Sequence, residues 1–338
     1  MSEEKKVNFK EFKLDLSPMS KYKSAAIEKA KSVVSGSIRI RTFNDNITDA
    51  SRLPELKSIF GRFFHKNQLA ILFGDTGLGK TILGNLIALG GAEGESRIAE
   101  FPNEAGAFKV LYFDYELSDR QFYKRFKRAE YTENLFRADV NPDCIGCSMT
   151  ISEIRKAIIS MGADLIVIDN LSAMVMESTA DPEIALKIMG ELKKLAMELN
   201  VSVLVLAHTP KMYDSMPITV NHLAGSKHLS NFADSIFALG KSCKGANMRY
   251  LKHVKNRDVA DTDQVYLLEI VESGNELTFE YLGMDYEANH LEGGGKTKED
   301  RKIVAAKMKS EGKTLDEIAS LFGVNKSTVS RWLNQPEE

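Results

Sequence analysis

Long apolar runs are missing from this sequence. Segments 165–168 and 203–207 are typical of its hydrophobic stretches, far short of the ~20 residues that cross a bilayer. The first ten residues, MSEEKKVNFK, are charged and lead into no apolar segment of the signal-peptide kind, so a cytoplasmic protein with no membrane partner is expected. Cysteine is scarce: three residues, an odd number, fit a reducing compartment without a disulfide framework. Cys144 and Cys147 form a single C-x-x-C with no second pair, which leaves a zinc site two ligands short, and the six histidines show no metal spacing. Neither charge sign prevails. Lys and Arg number 45 against 47 Asp and Glu, a formal net charge of −2, which excludes a uniformly basic coat for nucleic acid. Any such contact must be local, through a channel or a small basic module.

What is present is ordinary globular composition, 43% hydrophobic and 27% charged, in a chain long enough to bury a core without staples. Its 338 residues allow one large domain and a small one, or two of medium size. Residues 1–52 read as a polar arm or linker, with one helix expected over 20–34. From 53 to 290, strand-like and helix-like segments alternate, the pattern of an α/β domain with a mainly parallel sheet. The run Glu292-Gly293-Gly294-Gly295 marks a break, and 296–338 carry a compact all-α pattern. Strands are expected at 69–73, 110–113, 165–168 and 201–207. Each ends in polar residues, at the edge where parallel sheets place their ligands. Segments 235–239, 249–254, 265–271 and 276–282, joined by short turns, predict antiparallel additions to that core.

The first of these strands runs into Gly74-Asp75-Thr76-Gly77-Leu78-Gly79-Lys80-Thr81, which fits G-x-x-x-x-G-K-[ST] with a helix pattern after it. Glycines there let backbone N–H groups wrap phosphates, and the helix N-terminus adds positive potential. Lys80 would reach the β- and γ-phosphates of ATP, and the Thr81 hydroxyl would coordinate Mg²⁺. Asp169 closes the apolar strand 164–169, where a carboxylate can hold the Mg²⁺ shell. Glu116 follows the strand 110–113 directly and precedes a helix, a place from which it could orient or deprotonate the attacking water. Asp114 and Asp119 compete for that role, and Glu116 could instead complement the helix dipole.

The strings GDTGLGKT, YFDYELSDRQFYKR, DLIVIDNLSAM, VLVLAHTPK and LAGSKHLSNFADSIFAL, in that order, resemble the RecA-fold ATPases of the RepA-type plasmid helicases, and more distantly the DnaB-type replicative helicases. The likeness spans about residues 53–285. It implies a RecA-like P-loop ATPase core, with Glu116 as catalytic base and His208 as the residue sensing the γ-phosphate. It also implies a basic finger, Lys255-Asn256-Arg257, inserted by a neighbouring subunit of a homo-oligomer, typically a hexamer. Loops in 211–227 would then face a channel, with Lys211 and Lys227 on single-stranded DNA.

The segment 313–333 resembles the helix-turn-helix of resolvases and invertases. Ile318, Ala319 and Phe322 form one apolar face, Gly323 suits the turn, and Val324, Val329 and Leu333 form the returning face. Asn325 can cap the second helix and leaves Lys326, Ser327, Thr328, Ser330 and Arg331 for duplex phosphates and base edges. Residues 296–338 hold nine Lys or Arg against seven Asp or Glu, basic within a slightly acidic chain. The combined expectation is an ATP-dependent DNA motor, a replicative helicase or translocase of a plasmid or mobile element. A nucleotide-switched DNA-binding ATPase that regulates replication, transposition or recombination without unwinding is the alternative.

Overall fold

Five strands of the central sheet are apolar along nearly their whole length, a composition that is stable only when both sheet faces are covered. The computed structural model describes residues 33–35, 38–53, 55–127, 130–139, 150–171, 182–209, 215–223, 226–256, 264–274, 276–291, 298–310, 312–322 and 324–334. It divides into two units, Met1–Glu55 and Leu56–Glu338.

In the first unit, β1 (Val33–Ser35) and β2 (Ile38–Ile40) form an antiparallel pair. Helix α1 (Phe43–Ser51) follows, its first turn capped by the Thr42 hydroxyl accepting from the Asp45 N–H at 3.1 Å. The helix expected over 20–34 lies mostly outside the described residues. Its last two positions, Val33 and Val34, are strand, because β-branched side chains favour the extended partnership with Ile40 and Arg39.

The second unit begins with the short pair β3 (Ser58–Phe60) and β4 (Phe64–His65). Then come β5 (Leu69–Gly74), α2 (Lys80–Glu93), β6 (Val110–Asp114), α3 (Asp119–Phe126), β7 (Leu135–Ala138), α4 (Ile151–Met161), β8 (Leu165–Asp169), α5 (Pro182–Leu199) and β9 (Ser202–His208). Helix α6 (Ser226–Phe232) leads to β10 (Ser235–Lys241), β11 (Met248–Asn256), β12 (Gln264–Ser273) and β13 (Glu276–Tyr286). The sheet order is β13-β12-β11-β10-β5-β9-β8-β6-β7. Pairing is parallel from β10 through β7 and antiparallel from β10 out to β13. This is the RecA-like core with antiparallel C-terminal strands.

Alternation along each strand serves two apolar layers. Leu69, Ile71 and Phe73 of β5 pack with Ile154, Met189 and Leu192 of α4 and α5. Ala70 and Leu72 face Leu83 and Ile87 of α2 together with Phe60 and Phe101. One expectation needs correction. Segment 235–239 is parallel to β5, because the preceding residues form α6 and return the chain by a helical crossover instead of a tight turn.

The C-terminal helices α7 (Lys298–Ser310), α8 (Leu315–Phe322) and α9 (Lys326–Asn334) enclose Ala305, Met308, Ile318, Ala319, Val329 and Trp332. Thr314 and Glu317 cap α8 reciprocally: the Thr314 N–H donates to Glu317 Oε2 at 2.7 Å and the Glu317 N–H donates to Thr314 Oγ1 at 3.2 Å. Among the described residues, no helix is long and apolar enough to cross a membrane.

Candidate nucleotide site

The phosphate loop leaves β5 at Gly74, at the C-terminal edge of the parallel strands and beside the end of β9. Gly77 and Gly79 hold φ of +78° and +100°, left-handed backbone that glycine alone adopts without strain. Gly79 opens α2, and the Leu83 N–H donates to its carbonyl at 2.9 Å. The Asp75 carboxylate accepts from the Thr76 N–H at 2.7 Å, while Thr76 and Gly77 are exposed at the tip. Arg249 of β11, almost wholly buried, grips the loop from below by donating through Nε to the Leu78 carbonyl at 3.2 Å. Phe279 and Ile270, on the two outer strands, pack against Gly79.

Lys80 is buried and its Nζ donates to the carbonyls of Gly74 and Asp75 at 3.0 and 2.9 Å. Burial lowers its pKa, opposed by Asp169, Glu116 and Asp75. Asp169, 2% exposed, accepts from the Tyr112 hydroxyl at 2.7 Å and hydrogen-bonds Thr81. Burial pushes its pKa up to about 6, against those two hydrogen bonds and with help from the Glu116 and Asp114 charges.

Glu116 stands two residues past the end of β6, the strand beside β8. Asn170 Nδ2 donates to its Oε1, and His208 Nε2 lies 3.2 Å from the same oxygen and 2.8 Å from Asn170 Nδ2. The His208 contact lowers the Glu116 pKa most, with Lys80 and Arg125 adding to it against desolvation. The competing carboxylates are engaged elsewhere. Asp114 accepts from the Glu116 and Leu117 N–H groups at 3.1 and 3.0 Å and from Arg137 Nε at 3.0 Å. Asp119 is exposed and pairs with Arg137 Nη1 at 2.6 Å.

These residues suit a nucleoside triphosphate with Mg²⁺. A hydroxyl and a buried carboxylate meet where the cation would sit, and the lysine ammonium rests on carbonyl oxygens where phosphate oxygens would replace them. Two buried polar atoms alongside, His208 Nδ1 and Thr209 Oγ1, have no hydrogen-bond partner, although the Thr209 N–H donates to the Gly74 carbonyl at 3.3 Å.

Lys255 lies elsewhere. It pairs with Ile236 at the start of β10, whereas the phosphate loop leaves β5 opposite Leu239, and its Nζ donates to the Ser230 carbonyl at 2.5 Å. Arg257, Lys211, Cys144, Cys147, Gly323 and the Lys227 side chain lie outside the described residues. Asn325, Lys326, Ser327 and Arg331 are exposed on and just before α9, Thr328 and Ser330 half-buried. Lys326 Nζ donates to Asp316 Oδ2 at 2.6 Å. Trp332 faces inward, edge-on to Phe322 at 5.3 Å, and is core. No cluster of metal-ligating side chains occurs among the described residues.

Sequence reasoning missed Asn170, Tyr112, Arg249 and Arg137. Only Tyr112 left a signal, a hydroxyl on an otherwise apolar strand that has to find a partner once buried.

A search of curated proteins returned no match. The crystal structure of a KaiC-like protein from the hyperthermophilic archaeon Pyrococcus horikoshii OT3 aligns over 67% of this chain and 99% of its own, at 16% identity and a TM-score of 0.48. Residues 296–338 match a family described as a homeodomain-like domain. Residues 37–214, more than half of the chain, match the family described as an AAA domain. With the phosphate loop, the buried Asp169 and the Glu116–His208 pair around one cleft, the chain belongs to that AAA-domain family, a RecA-like ATPase carrying a C-terminal helix-turn-helix.

Proposed function

We propose that this protein is an ATP-driven DNA motor, a helicase or translocase of the RepA kind serving a plasmid or mobile element. The observation that carries the reading is Glu116, held by Asn170 and His208 just past the end of β6 and near enough to Lys80 for the two charges to act on each other. A carboxylate fixed there, with its pKa lowered, is ionised at neutral pH and ready to orient water for in-line attack. Thr81 and Asp169 would hold Mg²⁺, which supplies charge neutralisation between the β- and γ-phosphates. Lys80 would exchange its two carbonyl partners for phosphate oxygens. His208, at the end of β9, faces the γ-phosphate position and passes its state to the segment that follows.

Lys255 sits toward the opposite end of the sheet from its own phosphate loop. That placement suits the role of Lys255 and Arg257 as a finger acting on a neighbour's nucleotide, in a hexameric ring. Lys211 and Lys227 would line the channel for single-stranded DNA. The exposed residues of α9, Lys326, Ser327 and Arg331, with Asn325, Thr328 and Ser330, would read duplex. The test is DNA-stimulated ATP hydrolysis measured beside displacement of a strand from a forked duplex. Robust stimulated hydrolysis without displacement would remove the motor reading.

One observation favours a second reading. The helix-turn-helix unit packs directly on the segment after β9, an arrangement suited to a nucleotide-switched DNA-binding ATPase that assembles on duplex without unwinding it. Filaments or patches on duplex, instead of rings around single strands, would select it.

A further inference from the structure

The chain between β9 and α6 is held at two places by two different parts of the molecule. On the ATPase side, the Ile218 N–H donates to Glu287 Oε1 at 2.7 Å, and Lys252 Nζ donates to the Ile218 carbonyl at 2.9 Å. Lys252 and Glu287 are themselves ion-paired, and Glu287 is 4% exposed. On the other side, Met216 is buried in the apolar cluster of the C-terminal helices, with Ala305, Met308, Ile318 and Trp332. Asn221 Nδ2 donates to the Ser320 carbonyl of α8 at 3.1 Å. Eight residues upstream of Met216 is His208, 3.2 Å from Glu116.

We propose that the C-terminal helical unit clamps the segment that follows the sensor strand, so that its seating on Met216 and Asn221 and the nucleotide state at Glu116 and His208 are coupled. In this proposal a displacement of His208 by a γ-phosphate is felt at 215–223, and the weaker of the two anchorages gives. The inner anchorage is a buried ion pair with two hydrogen bonds to the backbone of one residue, Ile218. The outer one is a single exposed hydrogen bond and one methionine side chain, so the C-terminal unit is the part that yields. Coupling of this kind is reciprocal: loosening the unit frees the segment and raises the affinity for the nucleotide. The exposed face of α9 points away from the Val329 and Trp332 core side, so a duplex could engage it while the unit is seated. The clamp rests on reading the chain as an ATP hydrolase and α9 as its duplex-facing helix.

Trp332, the only tryptophan, belongs to the same cluster as Met216 and reports the seating in the full-length protein. A Mg²⁺-bound non-hydrolysable ATP analogue, its binding followed separately by displacement of a fluorescent nucleotide, is expected to shift Trp332 emission to the red. Asn221→Ala and Met216→Ser should each abolish that shift and tighten binding of the analogue in the absence of DNA about fivefold. Asn221→Ala alters only an exposed contact, so it stands as the test if Met216→Ser fails to fold. Bound nucleotide without an emission change, or wild-type affinity for the analogue in the folded variants, would overturn the clamp. Labelled-duplex anisotropy separates the readings. Absent duplex binding defeats the role of α9 alone, and an emission shift without turnover in any variant defeats the hydrolase reading alone.

Discussion

At the C-terminal edge of the sheet, Asp169 is buried with its pKa pushed up to about 6, whereas farther along β11 the half-buried His253 is pushed down to about 4. Desolvation is the first cause of both, and in both it works against the charged form. The difference lies in what each group has to do. His253 stacks on Phe63 at 4.8 Å, lies 3.0 Å from Ser235 Oγ, and belongs to an aromatic cluster that is served by its neutral ring. As the proposed Mg²⁺ ligand Asp169 would act only as a carboxylate, so its burial would be retained against stability. One end of the sheet is built to be packed, and the other to be occupied.

The largest effect is expected at the occupied end. Lys80→Ala should lower kcat/KM for ATP by about 10²–10³ or more in steady-state assays, since one preorganised charge on the phosphates is lost. Asp169→Asn should also lose hydrolysis and yet melt higher than wild type at pH 7. The raised pKa means that ionised Asp169 opposes folding by on the order of 3 kcal/mol without cation. That burden is full above about pH 6 and disappears as pH falls toward the unfolded value near 4, so the two melting curves should converge there. An unchanged gap at low pH would show that the extra stability comes from packing instead.

At the packed end the sign reverses. With its pKa lowered, His253 contributes stability that is present above pH 6.5 and is lost as pH falls from 6.5 toward 4, because the unfolded chain takes up the proton first. His253→Gln should flatten that part of the stability profile, measured by denaturant melts at stepped pH. The smallest effect is expected for Tyr112→Phe, which removes one hydrogen bond to Asp169. The Mg²⁺ concentration for half-maximal hydrolysis should rise about three- to tenfold, with nucleotide affinity in the absence of Mg²⁺ unaltered.

The same contrast explains what could be read before the fold was known. The phosphate loop is local: its glycines, Lys80 and Thr81 are neighbours in sequence and their spacing alone carries the chemistry. The positions of Asp169 and Glu116 were legible because the first closes an apolar strand and the second follows one by two residues. The groups that tune them were not, because their contacts join distant parts of the chain. Arg249 reaches Leu78 and Tyr112 reaches Asp169 only after the sheet has formed. Asn170 gave no pattern beyond being next to Asp169. The direction of β10 was misread because its apolar run looks the same in a parallel or an antiparallel neighbour, and only the helix before it decides. Likewise the segment after β9 reads as an exposed channel loop, yet Met216, Ile218, His222 and Leu223 are buried.

The most direct test of the occupied end is the hydrolysis rate of Glu116→Gln with its nucleotide affinity measured in parallel. A carboxylate that orients the attacking water is replaced by an isosteric amide, so kcat should fall about a hundredfold or more while MgATP still binds within about threefold of wild type. A kcat within a few-fold of wild type would contradict the account and return Glu116 to complementing the helix dipole.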